Sequence, residues 1–287
     1  GQLYKTLIDE FNKEYEGTYH ATLTQIARSG DAGGYDDKVN AAITNGGLPD
    51  VFTVDGVAVA QYADANAIVP IGDYFKEDEL ADFNPSIIQQ GTYNDELYTL
   101  GAMDSSVGIF YNKDMFEKAG ITEVPTSLEG ILAIGDDLKT KGGAGEPLAL
   151  SIYGWYFEQW LCKQGLSYAD NGNGRDAAAT AVEFDSNGGA LNILNEWKAL
   201  NDADVAPNVG RAGSDTATTD FTSGKAAITL GSTASLKQIL QDVNGSFEVG
   251  TAYFPTIKDG DEGGVSIGGA SLWALNNNDD AKAAATW

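Results

Sequence analysis

The stretch Leu97–Gly120, LYTLGAMDSSVGIFYNKDMFEKAG, contains in order the elements that decide the fold class. Two β-like runs, Leu97–Gly101 and Val107–Tyr111, lie on either side of a polar segment. A helix is expected to begin near Asn112, and Gly120 stands where a helix C-terminus is usually closed. The stretch therefore predicts a strand, a polar connection, a second strand and a helix.

The same alternation extends outward in both directions. Apolar residues at helical spacing from Leu3 to Tyr15 predict an N-terminal helix, and the apolar run Val51–Val54 predicts a buried strand. Further strands are predicted at Ala226–Leu230 and Ser271–Leu275, with helices between the strands. Strands that alternate with helices indicate an α/β architecture, and we expect a largely parallel sheet.

Three helix predictions rest on local signals. Thr126 and Glu129 have the spacing of a capping box. Ser186 can cap a later helix, whose apolar face is predicted to comprise Leu191, Leu194 and Trp197. A polar run near the end of the chain is expected to lead into a final helix over 281–287.

Composition and charge restrict the classes of function. The 287 residues include 42 acidic and 17 basic ones, which gives a net charge of −25. Nucleic acids and anionic membrane surfaces attract clustered Lys and Arg, so neither suits this chain. Its partners should be neutral or cationic. With 43% hydrophobic and 10% aromatic residues the chain is globular, and its length suggests two domains of about 150 residues each.

Catalytic and metal-binding motifs are scarce. The single cysteine, Cys162, excludes an intrachain disulfide and a multi-cysteine metal site. A catalytic triad could use only His20, the one histidine, and no nucleophile elbow is present. No apolar run approaches the ~20 residues of a spanning helix. We therefore predict no catalytic residue, no metal and no cofactor.

Polar residues at strand ends are the candidates for a binding site. Ligands of α/β proteins bind beyond the carboxyl ends of strands. Asp55 and Ser232 each follow a predicted strand, and the segment Asp104–Ser106 separates two strands. For each of these residues a helix cap or a turn is an alternative role.

An aromatic cluster accompanies these polar residues. It includes Trp155, Tyr156 and Trp160. Rings beside acids and hydroxyls suit a polyhydroxylated ligand, because the ring covers an apolar sugar face while the carboxylate accepts hydroxyl protons. We predict ligand contact for Trp155 and core packing for Trp160.

Four stretches resemble one known family. They are Asn45–Phe52 (NGGLPDVF), Tyr111–Gly120 (YNKDMFEKAG), Phe221–Thr229 (FTSGKAAIT) and Gly268–Trp273 (GGASLW). Their order and spacing over nearly the whole chain resemble the extracellular solute-binding proteins of family 1, which are sugar- and glycerol-phosphate-type receptors of ABC importers.

The resemblance implies a two-lobed, periplasmic-binding-protein-like α/β clamshell with an interlobe hinge. By analogy, one lobe comprises residues 1–109 plus 254–287, and the other comprises residues 110–253. Family members begin with a strand before the helix that starts here at Leu3 and continue past Trp287. We therefore expect this chain to lack a signal peptide, the first strand and C-terminal helices.

The resemblance also implies a set of ligand-binding positions. These are Tyr35, Asp55, Asp104, Ser105, Ser106, Trp155, Tyr156, Ser232, Gly268 and Gly269. Thr233 stands where maltodextrin-binding relatives keep a stacking tryptophan, which disfavours a long glucan.

The implied function is that of a monomeric receptor, not an enzyme. It would capture a small neutral mono- or oligosaccharide and deliver it to the permease subunits of an ABC importer. We expect it outside the cytoplasm, in the periplasm or lipid-anchored on the outer face of the membrane. The alternatives are a receptor for glycerol-3-phosphate or a glycerophosphodiester, a carbohydrate-active hydrolase, and a surface adhesin of the same fold.

Overall fold

The computed structural model describes residues 2–25, 33–45, 49–207 and 214–276. The predicted final helix over 281–287 lies outside these residues. The helices are α1 (Gln2–Glu14), α2 (Gly33–Asn45), α3 (Val59–Asp64), α4 (Glu77–Leu80), α5 (Pro85–Gly91), α6 (Lys113–Ala119), α7 (Leu128–Thr140), α8 (Gly154–Lys163), α9 (Asp170–Gly174), α10 (Gly189–Asp202), α11 (Ser214–Thr222) and α12 (Leu236–Val243). The strands are β1 (Val51–Asp55), β2 (Thr92–Tyr93), β3 (Glu96–Leu97), β4 (Thr99–Ser105), β5 (Val107–Asn112), β6 (Glu146–Ala149), β7 (Ala226–Ser232), β8 (Val249–Tyr253) and β9 (Gly268–Ala274).

The first of two principal sheets has the strand order β1-β9-β4. Its central strand, β9, is the last of the described strands in chain order, and it pairs antiparallel with both neighbours. Phe52 and Trp273 lie opposite each other in this sheet, and their rings form an aromatic cluster with Tyr62 of α3. We call the part of the fold around this sheet lobe 1.

The second principal sheet has the order β6-β7-β5-β8 and forms lobe 2. The apolar faces of α6, α7, α8 and α10 pack around Trp160, which is fully buried, and form the core of lobe 2. The indole N–H of Trp160 donates to the Pro255 carbonyl at 3.0 Å. The predicted core position of Trp160 is confirmed.

The expectation of a largely parallel sheet is wrong. Among the described strands of the two principal sheets, only β6 and β7 pair in parallel, and the other pairs are antiparallel. The reason is topological: β9 enters lobe 1 from lobe 2 and inserts between β1 and β4, whose direction is opposite to its own. The α/β class itself is confirmed.

The connections between the lobes differ from the expected boundaries. Strand β5 pairs over its whole length with β7 and β8, so a boundary after Ile109 would divide a strand of lobe 2. On the return path, Phe254 and Ile257 are buried in the lobe 2 core, and Val265 packs against it. We infer that the chain crosses at Ser106 and again near Ser266.

Two helix predictions need correction. Ser127, not Thr126, is the N-cap of α7, and its Oγ accepts a hydrogen bond from the Gly130 N–H at 2.9 Å. Helix α10 has Gly188 at its N-cap, while the Ser186 hydroxyl donates to the Glu183 carbonyl.

The buried stripe of α10 also differs from the predicted one. It comprises Ile193, Trp197 and Leu200, whereas Leu191 and Leu194 are 64% and 54% exposed. Both sets have helical spacing and share Trp197, so periodicity alone did not separate them.

This correction gives a paired stability test. Ile193→Ala should lower the free energy of unfolding by about 2–5 kcal/mol, because it opens a cavity in the lobe 2 core. Leu194→Ala on the same helix removes a side chain of similar size from an exposed position and should change it by less than about 0.5 kcal/mol. Urea denaturation of both variants measures the difference, and equal losses would contradict the assigned helix face.

Candidate functional site

The candidate site lies where the chain crosses between the lobes. At the first crossing the Ser106 N–H donates to the Thr233 hydroxyl at 3.1 Å, and the Thr233 N–H donates to the Ser106 carbonyl at 2.8 Å. At the second crossing the buried Gln159 amide forms two hydrogen bonds with Ser266, at 2.7 and 2.9 Å. The Ser106 hydroxyl donates to the Ser266 carbonyl and joins the crossings.

Lobe 1 brings its predicted polar residues to one end of its sheet. Asp55 lies opposite Ala270, Asp104 opposite Gly269, and Ser105 opposite Gly268. Strands β1 and β4 flank β9, so their backbones are two strand spacings or about 10 Å apart. This end of the sheet is the one from which the chain crosses into lobe 2.

The pairing register separates the two carboxylates. Alternate residues of a strand point to opposite faces, so Asp55 shares the face of Ala270, and Asp104 shares the opposite face with Gly269. The Asp104 carboxylate lies over Gly101, where a Cβ would collide with it. Partial desolvation raises the pKa of the Asp104 carboxyl above its ordinary value. Asp55 is therefore better placed than Asp104 to share a ligand with Ser105.

The two predicted glycines occupy different environments. Gly269 has φ +131°, and a Cβ there would collide with the Met103 carbonyl of the neighbouring strand. Its lack of a side chain is explained by the close approach of β4 and β9. A Cβ at Gly268 would meet no atom within 4 Å, so this position faces open space.

Lobe 2 contributes hydroxyl groups beside the first crossing. Ser232 ends β7 and lies opposite Val107, the first residue of β5. Its Oγ accepts a hydrogen bond from the Ala234 N–H at 3.2 Å and caps the short 3₁₀ helix at Thr233–Ser235. The structural role considered for Ser232 is thus present, while the hydroxyl hydrogen remains a donor for a ligand.

The aromatic residues separate into a surface pair and a buried support. Tyr156 is only 4% exposed, and its hydroxyl donates to the Leu230 carbonyl at 2.8 Å. Burial raises the pKa of this phenol far above its ordinary value. Tyr156 therefore packs as a core residue, and the expectation that it contacts ligand is corrected. Trp155 is partly buried with its ring 5.6 Å from that of Tyr156, and Tyr153 is exposed beside both.

Sequence reasoning missed Tyr253. This last residue of β8 lies opposite Gly108 in β5, next to the Val107–Ser232 pair at the crossing. Its side chain is 94% exposed, which is unusual for a large aromatic residue at the end of a paired strand. The one signal in the sequence was that Tyr253 directly precedes Phe254, since neighbouring residues of a strand face opposite ways and Phe254 is buried.

Tyr35 belongs to α2, but its side chain lies outside the described residues.

Over the described part of the chain, no group of three or more His, Cys, Asp or Glu residues could hold a metal ion. Nor is any described helix long and apolar enough to cross a membrane. The groups near the crossings are carboxylates, hydroxyls and rings, a combination suited to a polar molecule that presents hydroxyl groups.

Comparison with known proteins identifies the family of the chain. The profile of bacterial extracellular solute-binding proteins matches residues 1–287. The sn-glycerol-3-phosphate-binding periplasmic protein UgpB of Escherichia coli K12 is 30% identical over 265 residues, which cover 86% of this chain and 58% of that protein. UgpB of Shigella flexneri is also 30% identical, over 266 residues. The chain thus spans less than two thirds of the length of these relatives.

Solved structures share the fold at lower identity. The GacH receptor of Streptomyces glaucescens, solved unliganded and with acarbose, has a TM-score of 0.78 and 21% identity, covering 99% of this chain and 70% of that one. Maltose-bound MalE3 of T. maritima has a TM-score of 0.79 and 18% identity, covering 99% and 72%. The profile match over the whole chain and the relatives at 30% identity show that this protein belongs to the family of bacterial extracellular solute-binding proteins.

Proposed function

We propose that this protein is the substrate-binding component of an ABC importer. It captures a small neutral mono- or oligosaccharide between its lobes, outside the cytoplasm, and presents it to the permease subunits. The protein performs no chemistry on the ligand. Contacts from both lobes favour a closed arrangement over an open one, and the difference in free energy couples binding to closure.

The observation that carries this proposal is the position of polar and aromatic groups at the crossings. Ser106 is hydrogen-bonded to Thr233 and Ser266, which fixes the end of lobe 1 beside the end of lobe 2. Asp55 then supplies a carboxylate from lobe 1, while the Ser232 hydroxyl and the Tyr253 ring stand at the facing end of the lobe 2 sheet, on its two opposite faces. A carboxylate can accept two hydroxyl protons of a sugar, and a tyrosine ring can cover its apolar face.

The charge balance supports a neutral ligand. The chain carries −25 overall, and both acids at the end of the lobe 1 sheet would repel an anion. Of the three arginines in the sequence, Arg28 and Arg211 lie outside the described residues. Arg175 donates to backbone carbonyls at and just past the C-terminal end of α5.

A second candidate ligand class is supported by the relatives. UgpB of Escherichia coli is a sn-glycerol-3-phosphate-binding protein, and a fold neighbour with TM-score 0.78 and 21% identity is UgpB of Mycobacterium tuberculosis in complex with glycerophosphocholine. Glycerol-3-phosphate or a glycerophosphodiester is therefore the alternative. Recognition of a phosphate group would require a cation or several N–H donors at the site.

Calorimetry distinguishes the two ligand classes. Titrations with glucose, galactose, maltose and lacto-N-biose should give saturable heat for at least one sugar with a dissociation constant near 1 μM, equivalent to about −8 kcal/mol. Titrations with sn-glycerol-3-phosphate and glycerophosphocholine should give none. Heat from the phosphate esters alone would replace the sugar proposal with the second candidate.

Asp55→Asn tests the carboxylate. The substitution keeps the size of the side chain but removes the charge that strengthens hydrogen bonds from sugar hydroxyls, so the dissociation constant should rise by about tenfold or more. Asp136→Asn makes the same charge change at an exposed position of α7 and should leave binding unchanged. Equal affinity of Asp55→Asn and wild type would remove Asp55 from the site.

Tyr253→Ala tests the aromatic residue that sequence reasoning missed. Because Tyr253 is almost fully exposed, the melting temperature should not change. Loss of ring stacking should weaken sugar binding about three- to tenfold. Tyr74→Ala is the control: it removes a partly exposed tyrosine ring from lobe 1 and should leave the sugar affinity unchanged. A Tyr253 variant with wild-type affinity would show that the ring does not contact the ligand.

A further inference from the structure

A loop of lobe 2 reaches lobe 1 beside the second chain crossing, where the Gln90 side-chain amide donates to the Ile267 carbonyl at 2.9 Å. The guanidinium of Arg175 donates from Nη1 to the carbonyls of Gln89 and Thr92, at 3.3 and 3.1 Å. Its Nη2 donates to the Gln90 carbonyl at 3.4 Å. All three acceptors lie at or just past the C-terminal end of α5, which packs against β4 and β2 of lobe 1.

The end of a helix favours such a cation. The last carbonyls of a helix have no partner within it, and the aligned peptide dipoles place a partial negative charge there. Near the same end, the Gly91 carbonyl accepts from the Tyr98 N–H, and the Ile88 carbonyl accepts from the Thr92 hydroxyl. Arg175 adds donors from the other lobe, and its planar fork serves several carbonyls at once.

The loop that carries Arg175 is braced internally. Both oxygens of the Asp170 carboxylate accept hydrogen bonds from Thr180, at 2.8 Å from its N–H and 2.6 Å from its hydroxyl. The Asn173 side-chain oxygen accepts from the backbone N–H groups of Tyr168 and Ala169. Every residue from Asn171 to Gly174 has positive φ, a backbone conformation that Asn and Gly adopt most readily.

The base of the same loop is fixed to the core of lobe 2. The ring of Tyr168 lies 4.8 Å from that of Phe184, and Phe184 lies 5.3 Å from Phe157 of α8. Phe157 and Phe184 both pack against the lobe 2 core. Motion of lobe 2 relative to lobe 1 is therefore expected to strain the Arg175 hydrogen bonds, since the loop that carries Arg175 is held in place by its own contacts.

We propose that Arg175 is a positioning residue that clasps the lobes together and holds the cleft partly preclosed in the absence of ligand. Its acceptors are neutral carbonyls at an exposed surface, so the clasp is weak and reversible. Less of the ligand's binding free energy is then spent on closing the lobes, so the affinity rises with the fraction of molecules that are already closed. Only this effect on affinity rests on the proposed receptor function.

Interlobe distances in the ligand-free protein test the clasp directly. Spin labels at Gln61→Cys in α3 and Asn195→Cys in α10, in a Cys162→Ser background, report the lobe separation by electron–electron double resonance. Arg175→Ala should shift the distance distribution to longer and broader values. Arg175→Lys keeps the positive charge but lacks the planar guanidinium that reaches several carbonyls, so it should give an intermediate distance distribution. Lys198→Ala removes one positive charge whose partner, Asp202, lies in its own helix, and it should match the parent protein.

The outcomes separate the clasp from the receptor function. A distribution for Arg175→Ala that superimposes on the parent overturns the clasp, and should that variant fail to fold by circular dichroism, the same criterion applies to Arg175→Lys. With the sugar that gives the largest calorimetric heat, Arg175→Ala should raise the dissociation constant about two- to fivefold, the range expected for a cation at a helix C-terminus. A shifted distance with no sugar binding by the parent would leave the clasp supported and refute the proposed function.

Discussion

The rest of the structure depends on the insertion of β9 between β1 and β4. Among the described strands, the two outer strands of lobe 1 each pair with β9 and not with each other, so β9 is what joins them in one sheet. Trp273 of this strand is buried against Phe52 and Tyr62, so the lobe 1 core also requires it. Since β9 reaches lobe 1 only after the chain has passed through lobe 2, the described residues join the lobes by two crossings instead of one linker. This topology brings Ser106 next to Ser266 and defines the place where a ligand can touch both lobes.

The chemistry at that place follows from the ends of strands. Three strands of lobe 1 bring Asp55, Ser105 and Gly268 to one end, and three strands of lobe 2 bring Val107, Ser232 and Tyr253 to theirs. Loops alone would place these groups less exactly, because strand pairing fixes both spacing and direction. Helix α8 is tied to the same sheet, because the Tyr156 hydroxyl donates to the Leu230 carbonyl of β7. The buried ring of Tyr156 also packs beside the ring of Trp155. A strongly acidic chain with such groups is suited to hydroxyl donors and poorly suited to anions.

Sequence patterns predicted what local physics determines. The helix after Asn112 is confirmed, with the Asn112 side chain capping it and Gly120 closing it in a left-handed conformation. Sequence patterns failed where contacts between segments distant in the chain determine the structure. The antiparallel direction of β9 depends on a return from the other lobe, and the choice between Leu194 and Ile193 on α10 depends on where α7 and α8 lie. Sequence patterns placed Asp55 and Ser232 at strand ends, where the structure has them, but the register that separates Asp55 from Asp104 and exposes Tyr253 requires knowledge of strand partners.

Amide hydrogen exchange with and without a bound sugar tests the central claim most directly, namely that the ligand lies between the lobes and touches both. With the sugar that gives the largest calorimetric heat, slowed exchange is predicted together at the end of β1, at the Ser105–Val107 crossing and at the start of α8. The protection should exceed tenfold if closure buries these segments. Protection confined to one lobe, or located away from both crossings, would contradict the account.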